Sequence, residues 1–162
     1  MTGARTTRRP MADLLALACF GLAVAVVAIV GGLASASASA QYGGLVQPSW
    51  APPSWLFGPV WTVLYVMIAV SGWLVWRRAG WVRSAHGVYA VQLVLNMLWS
   101  PLFFGAGLLG LAFADILLLA ASVVATIVLF ARVSRLAAVL LVPYLAWVGF
   151  ASALNFAIWQ LN

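Results

Sequence analysis

"QPSWAPPSWLFGPVWTVLY" (Gln47–Tyr65) holds two kinds of chain in nineteen residues. Pro48, Pro52 and Pro53 each remove a backbone donor and hold φ near −65°, so the first half cannot be the interior of a helix. From Leu56 to Trp76 the residues are predominantly apolar and uncharged, long enough for a helix that crosses a bilayer. Pro59 falls in the first turn of that helix, where a missing N–H costs little. A stiff, tryptophan-bearing connection therefore runs straight into a membrane span.

The rest of the chain follows the same pattern. Of its 162 residues 66% are apolar and 6% charged, with a mean hydropathy of +1.12. Soluble domains are about 45–50% apolar and about 25% charged, so this composition is that of a membrane protein. Runs of about 20 apolar residues, the length that crosses the hydrocarbon core, fall at roughly 12–33, 56–76, 86–105, 108–130 and 136–160. The runs lack the alternating segments of about 10 residues that a barrel requires. The expected fold is all-α, an integral membrane bundle of five transmembrane helices forming one domain over 1–162, with a loop at 34–55.

Eight arginines and no lysine stand against Asp13 and Asp115, for a net charge of +6. Arg5, Arg8 and Arg9 precede the first span, Arg77, Arg78 and Arg83 lie between the second and third, and Arg132 and Arg135 between the fourth and fifth. All eight fall on one side of a five-span chain, which by the positive-inside rule puts the N-terminus in the cytoplasm and the C-terminus outside. Placed at the ends of apolar runs, they read as topology and headgroup contacts rather than a nucleic-acid surface. The first span admits a second reading. "TTRRPM" followed by an apolar run and "ASASASAQ" has the outline of a signal peptide, but Leu14–Leu33 exceeds the usual apolar region of about 7–15 residues, which favours a retained helix. A single cysteine, Cys19, cannot form an internal disulfide.

Polar and aromatic residues recur at helical spacing. Phe57, Trp61 and Tyr65 share a face of the second span; Gln92, Asn96 and Trp99 share one on the third; Trp147, Ala151, Leu154 and Asn155 share one on the fifth. An amide exposed to lipid is costly, so Gln92, Asn96 and Asn155 are expected to point into the bundle. Tryptophans at an interface, and Asn or Gln binding helix to helix, account for any one of these positions. Their shared depth beneath a stiff loop points to a pocket, apolar with a few polar anchors. One histidine, one cysteine and no glutamate exclude a metal cluster or a Ser/His/acid arrangement. His86 reads as an interfacial residue beside Arg83. Asp115, inside the fourth span, is read as a hydrogen bond to a neighbouring helix, although an acid at that depth is also a functional candidate.

Three blocks, Gln47–Tyr65, "QLVLNMLWSPLFFG" (Gln92–Gly105) and "VPYLAWVGFASALNFAIW" (Val142–Trp159), resemble the TspO/MBR family of tryptophan-rich sensory proteins, and "LAFADILLLAA" (Leu111–Ala121) matches more weakly. The resemblance covers nearly everything after residue 40. It implies a homodimer of five-helix subunits and a ligand pocket under the first loop, with porphyrins or other hydrophobic molecules as ligands and no obligatory cofactor. Carried over residue by residue, it implies a pocket of Trp55, Trp61 and Tyr65 from the second helix, Asn96 and Trp99 from the third, and Trp147, Ala151 and Leu154 from the fifth, with Trp50 in the lid. It implies a tetrapyrrole sensor or transporter. The alternative is light- and oxygen-dependent porphyrin degradation, with Trp61 and Trp147 as the catalytic indoles. One departure concerns sterols: at the position of the animal sterol motif, Phe156 and Gln160 supply neither the phenol nor the cation, so sterol binding is not implied.

Overall fold

The computed structural model describes residues 10–35 and 42–162. Its helices are α1 (Pro10–Ser35), α2 (Phe57–Ala79, entered through a 3-10 turn at Ser54–Leu56), α3 (Arg83–Ser100, continued by a π-helical turn at Pro101–Gly105), α4 (Leu109–Ala131), α5 (Arg135–Leu140) and α6 (Val142–Leu161). Counting the turns with their helices and α5 with α6, five spans are long and apolar enough to cross a membrane, and they begin and end within three residues of the boundaries expected from the sequence. Arg5, Arg8, Arg9 and positions 36–41 of the small-residue stretch lie outside the described residues.

Local chemistry sets the breaks. After α2, Gly80 adopts φ 72° and ψ −153°, a region open essentially to glycine alone. Its N–H donates to the Trp76 carbonyl at 2.7 Å. At the other end of the bundle the chain leaves α3 through wider hydrogen bonds, Ala106 N–H to Pro101 O at 2.8 Å and Leu108 N–H to Leu102 O at 3.0 Å. Gly107, at φ 64°, makes the reversal into α4 possible. The fifth span breaks between α5 and α6 at Leu141, because Pro143 has no N–H for the preceding turn. Ser134 caps α5, its Oγ accepting from Ala137 N–H at 3.2 Å.

The helices close a ring. α1 lies against α2 and α3, α3 against α4, α4 against α5 and α6, and α2 returns to α5. A buried hydroxyl ties that last seam: Ser71 Oγ donates to the Ala137 carbonyl at 2.8 Å. The core runs from Ile68 and Val75 of α2 through Tyr89 and Leu93 of α3 to Ile116, Leu119 and Phe130 of α4 and Tyr144 and Val148 of α6. Outward faces are apolar as well, Leu14, Leu22, Ile29 and Leu33 of α1 among them, as lipid requires.

α1 is an integral wall of the bundle. It buries Val24, Val27 and Gly31, and its N-terminal turn is held by Trp73, whose Nε1 donates to the Asp13 carbonyl at 3.2 Å. Arg77 lies 3.8 Å from the Asp13 carboxylate and 5.0 Å from the Trp73 ring centroid. The described arginines gather at this end: Arg78 Nη1 reaches Ser134 Oγ at 2.6 Å, so the two arginine-bearing connections are neighbours.

Candidate functional site

Where α1, α2 and the end of α3 meet at the opposite end from those arginines, they enclose a cavity of about 540 Å³. From α1 it takes Ala28, Gly31, Gly32 and Ser35, spaced three, one and three residues apart, so that a single helical face without bulk opens the space. α2 lines the other wall with Trp61 and Tyr65, whose rings stack at 5.3 Å and 27°, and Trp55 stands at the mouth, 70% exposed. Trp99, Ser100 and Phe104 complete it. Four of the nine residues expected in the pocket, Trp55, Trp61, Tyr65 and Trp99, therefore share this wall.

The other five stand elsewhere. Tyr42 and Phe57, edge to face at 5.7 Å, border the cavity on one side and a void of only about 10 Å³ on the other. That void is lined by Ala151, Leu154 and Asn155 together with Trp99, Phe103 and Phe104. Trp147 sits beyond Phe57, ring centroids 5.9 Å apart, with its indole N–H buried and unpartnered among the described residues. Trp50 packs on Phe150, the ring next to Trp147. Ala151 and Leu154 are thus separated from the main cavity by four aromatic side chains that line both spaces, Tyr42, Phe57, Trp99 and Phe104, and Trp147 lies behind Phe57.

Asn96 lies beneath the cavity in a chain of hydrogen bonds. Tyr65 Oη donates to Asn96 Oδ1 at 3.2 Å, Asn96 Nδ2 to Tyr144 Oη at 2.8 Å, and Tyr144 Oη to Gln92 Oε1 at 3.0 Å. Higher up, Trp99 Nε1 donates to Asn155 Oδ1 at 3.1 Å, and Asn155 Nδ2 to the Leu109 carbonyl at 2.9 Å. Gln92, Asn96 and Asn155 are all buried, as their cost in lipid demands. Thr62 spends its proton on its own helix, donating to the Gly58 carbonyl at 2.9 Å.

The loop over this end is itself folded. Tyr42 Oη donates to the Pro52 carbonyl at 3.3 Å, Gln47 Nε2 donates to the Tyr42 carbonyl, and burial raises the Tyr42 phenol above its usual value of 10.0. Tyr42, Tyr144 and the small face of α1 were not expected at the site from sequence. The spacing of Ala28, Gly31, Gly32 and Ser35 was visible, but small residues crowd the whole of α1 and hide it.

Two further expectations change. His86 stands in the first turn of α3 with Arg83 but faces inward: it is 1% exposed, stacked under Trp81 at 4.6 Å and 13°, with Phe20 and Phe130 around it. Trp81 takes the exposed position instead. Asp115 is buried, yet its Oδ2 has no partner among the described residues, so the expected bond to a neighbouring helix is not made by that oxygen. No group of three His, Cys, Asp or Glu among the described residues can hold a metal.

Five spanning helices, an aromatic-walled cavity at one end and a folded proline-tryptophan loop beside it define a small polytopic membrane protein of the tryptophan-rich class. The TspO/MBR family model matches residues 19–160, and the chain belongs to that family. It is 47% identical over 150 residues to the tryptophan-rich protein TspO of Chlorobaculum tepidum, covering 89% of this chain and 93% of that one. It is 45% identical over 125 residues to the human translocator protein, covering 75% and 74%. Over 121 residues it is 38% identical to the tryptophan-rich sensory protein of Cereibacter sphaeroides, covering 75% and 76%.

Proposed function

We propose that this protein is a membrane receptor or carrier for a flat hydrophobic ligand of the tetrapyrrole class. The observation that carries the reading is the cavity of about 540 Å³ walled by Trp55, Trp61, Tyr65 and Trp99, within the range of about 300–1,000 Å³ usual for small-molecule sites. Indole and phenol faces offer offset stacking to a planar macrocycle, and the small α1 face leaves room for its thickness. Titration with protoporphyrin, followed by quenching of tryptophan fluorescence, tests it. Saturable quenching that weakens in Trp61→Phe supports the reading, and no saturable quenching overturns it.

The second reading is light- and oxygen-dependent breakdown of the bound porphyrin, favoured by the placement of Trp61, an oxidisable indole on the cavity wall stacked on Tyr65. Of the two indoles assigned to that chemistry, Trp147 lies behind Phe57. Illumination separates the readings: a new absorbance product formed in light and not in darkness supports degradation, and an unchanged spectrum supports binding alone.

The same proposal places the arginine-bearing connections in the cytoplasm and the tryptophan loop outside, and pairs two copies through their lipid-facing helices. A reporter after Asn162 should read as non-cytoplasmic, and one between Arg78 and Arg83 as cytoplasmic. A monomeric mass in lipid nanodiscs would count against the pair.

A further inference from the structure

The buried chain under the cavity ends on an uncompensated group. Gln92 is 1% exposed, and its Nε2 has no partner among the described residues, whereas its Oε1 accepts from Tyr144. Among buried groups an unpaired amide N–H is rarer than an unpaired carbonyl. The heavy atoms of Tyr65, Asn96, Tyr144 and Gln92 allow the opposite polarity without moving a ring. Turning both amides by a half-rotation exchanges oxygen and nitrogen in place. Gln92 then donates to Tyr144, Tyr144 to Asn96, and Asn96 to Tyr65. Three hydrogen bonds remain, the orphan becomes a carbonyl, and the Tyr65 proton is released toward the cavity that Tyr65 lines.

We propose that the cavity prefers ligands presenting a carbonyl oxygen, which accepts the Tyr65 proton, and that Asn96, Tyr144 and Gln92 are positioning residues that turn that proton outward. This deepens the reading of the cavity as a site for flat hydrophobic ligands and rests on it. Gly31 fits the same role: a Cβ there would lie 3.6 Å from Tyr65 Oη and 3.5 Å from Ser100 Oγ, so glycine keeps the approach to the hydroxyl clear. Ser100 is the nearby hydroxyl that could compete for the same oxygen.

The test uses two planar tricyclic probes of nearly equal size, fluorenone with a ketone and fluorene without one, on the full chain in detergent. Tryptophan quenching gives both affinities, and the infrared carbonyl band of bound fluorenone reports a hydrogen bond directly. The expected result is a preference for fluorenone of about five- to tenfold, the worth of one neutral hydrogen bond, with the carbonyl band moved to lower frequency. Tyr65→Phe should abolish both, with fluorene affinity in the same variant as the reference for the ratio. Tyr144→Phe should reduce the preference to less than about threefold, because it cuts the relay and leaves Asn96 free to face either way. Ser100→Ala, whatever it does to the absolute affinities, should keep the preference for fluorenone and the shifted band. Equal wild-type affinities, or a preference that survives Tyr65→Phe or disappears in Ser100→Ala, would overturn the proposal. The wild-type band shift stands as a separate check should Tyr144→Phe fail to fold. If neither probe quenches, the carbonyl preference falls, and the protoporphyrin titration decides separately whether the reading of the cavity falls with it; if both bind alike, the reading stands and the carbonyl preference alone falls.

Discussion

The amide of Asn162 grips the backbone of Val46 at both of its polar groups. Val46 N–H donates to Asn162 Oδ1 at 3.0 Å, and Asn162 Nδ2 donates to the Val46 carbonyl at 3.0 Å. The same Nδ2 also reaches the Ile158 carbonyl at 2.8 Å, which anchors the side chain on the last turn of α6. Residues 116 positions apart are thus joined as two strands would be, and the loop beside the cavity is tied to the far end of the chain.

Cutting this tie should loosen the loop without disturbing the bundle. Asn162→Ala is expected to speed hydrogen exchange at the Val46 amide by about tenfold, the worth of one or two net hydrogen bonds at roughly 0.5–1.5 kcal/mol each. Exchange in α3 and α4 should not change. Equal protection at Val46 in both proteins would show that the Pro-rich segment holds itself.

A second consequence concerns Gly72, which lies where α1, α2 and α3 press together. A Cβ there would come within 2.8 Å of Phe20 Cδ1 and 2.9 Å of Tyr89 Cζ, and Phe20 and Tyr89 already meet edge to face at 5.8 Å. Gly72→Ala should destabilise the bundle by about 1–3 kcal/mol, through overpacking. Adding Phe20→Leu should return part of the loss. A thermal melt in detergent that is unchanged by Gly72→Ala would contradict the close approach.

The aromatic partition predicts unequal effects at positions that sequence spacing treats alike. Trp61→Phe should weaken porphyrin binding several-fold, since it trims a cavity wall, while Trp147→Phe, behind Phe57, should change affinity by less than about twofold. Ala151 is buried beside the void of about 10 Å³, too small for the added atoms. Ala151→Thr should therefore lower the melting temperature first, at a cost of about 1–3 kcal/mol. Parallel melts and quenching titrations check all three. Equal losses of affinity in the two tryptophan variants would mean that the ligand reaches past Tyr42 and Phe57.

Tyr42 should report the state of the loop through its proton. Burial favours the neutral phenol, so its value in the folded protein lies above 10.0. The unfolded chain ionises first as pH rises, and the stability this group contributes is present below pH 10 and lost above it. The difference in tyrosinate absorbance between wild type and Tyr42→Phe across an alkaline titration gives the value. A midpoint at or below 10 would place the ring in water and the loop open.

Much of this protein is legible residue by residue. Hydrocarbon demands predominantly apolar runs of about 20 residues, which places the five spans within three residues at each end. It also drives amides inward, so Gln92, Asn96 and Asn155 could be put on buried faces from helical spacing alone. These are local constraints, each satisfied within one helix and its solvent. The shape of the site is not local. Whether Trp61 and Trp147 share a cavity depends on where Phe57 and Tyr42 sit between them, and Tyr42 is placed by a loop whose hydrogen bonds return to Pro52 and whose end is held by Asn162. Likewise, Gly31 acquires meaning only against Tyr65 and Ser100, on two other helices. Periodicity tells which face of a helix turns inward; only the packed bundle decides which inward faces meet, because that depends on the rotation and spacing of helices whose contacts lie tens of residues apart.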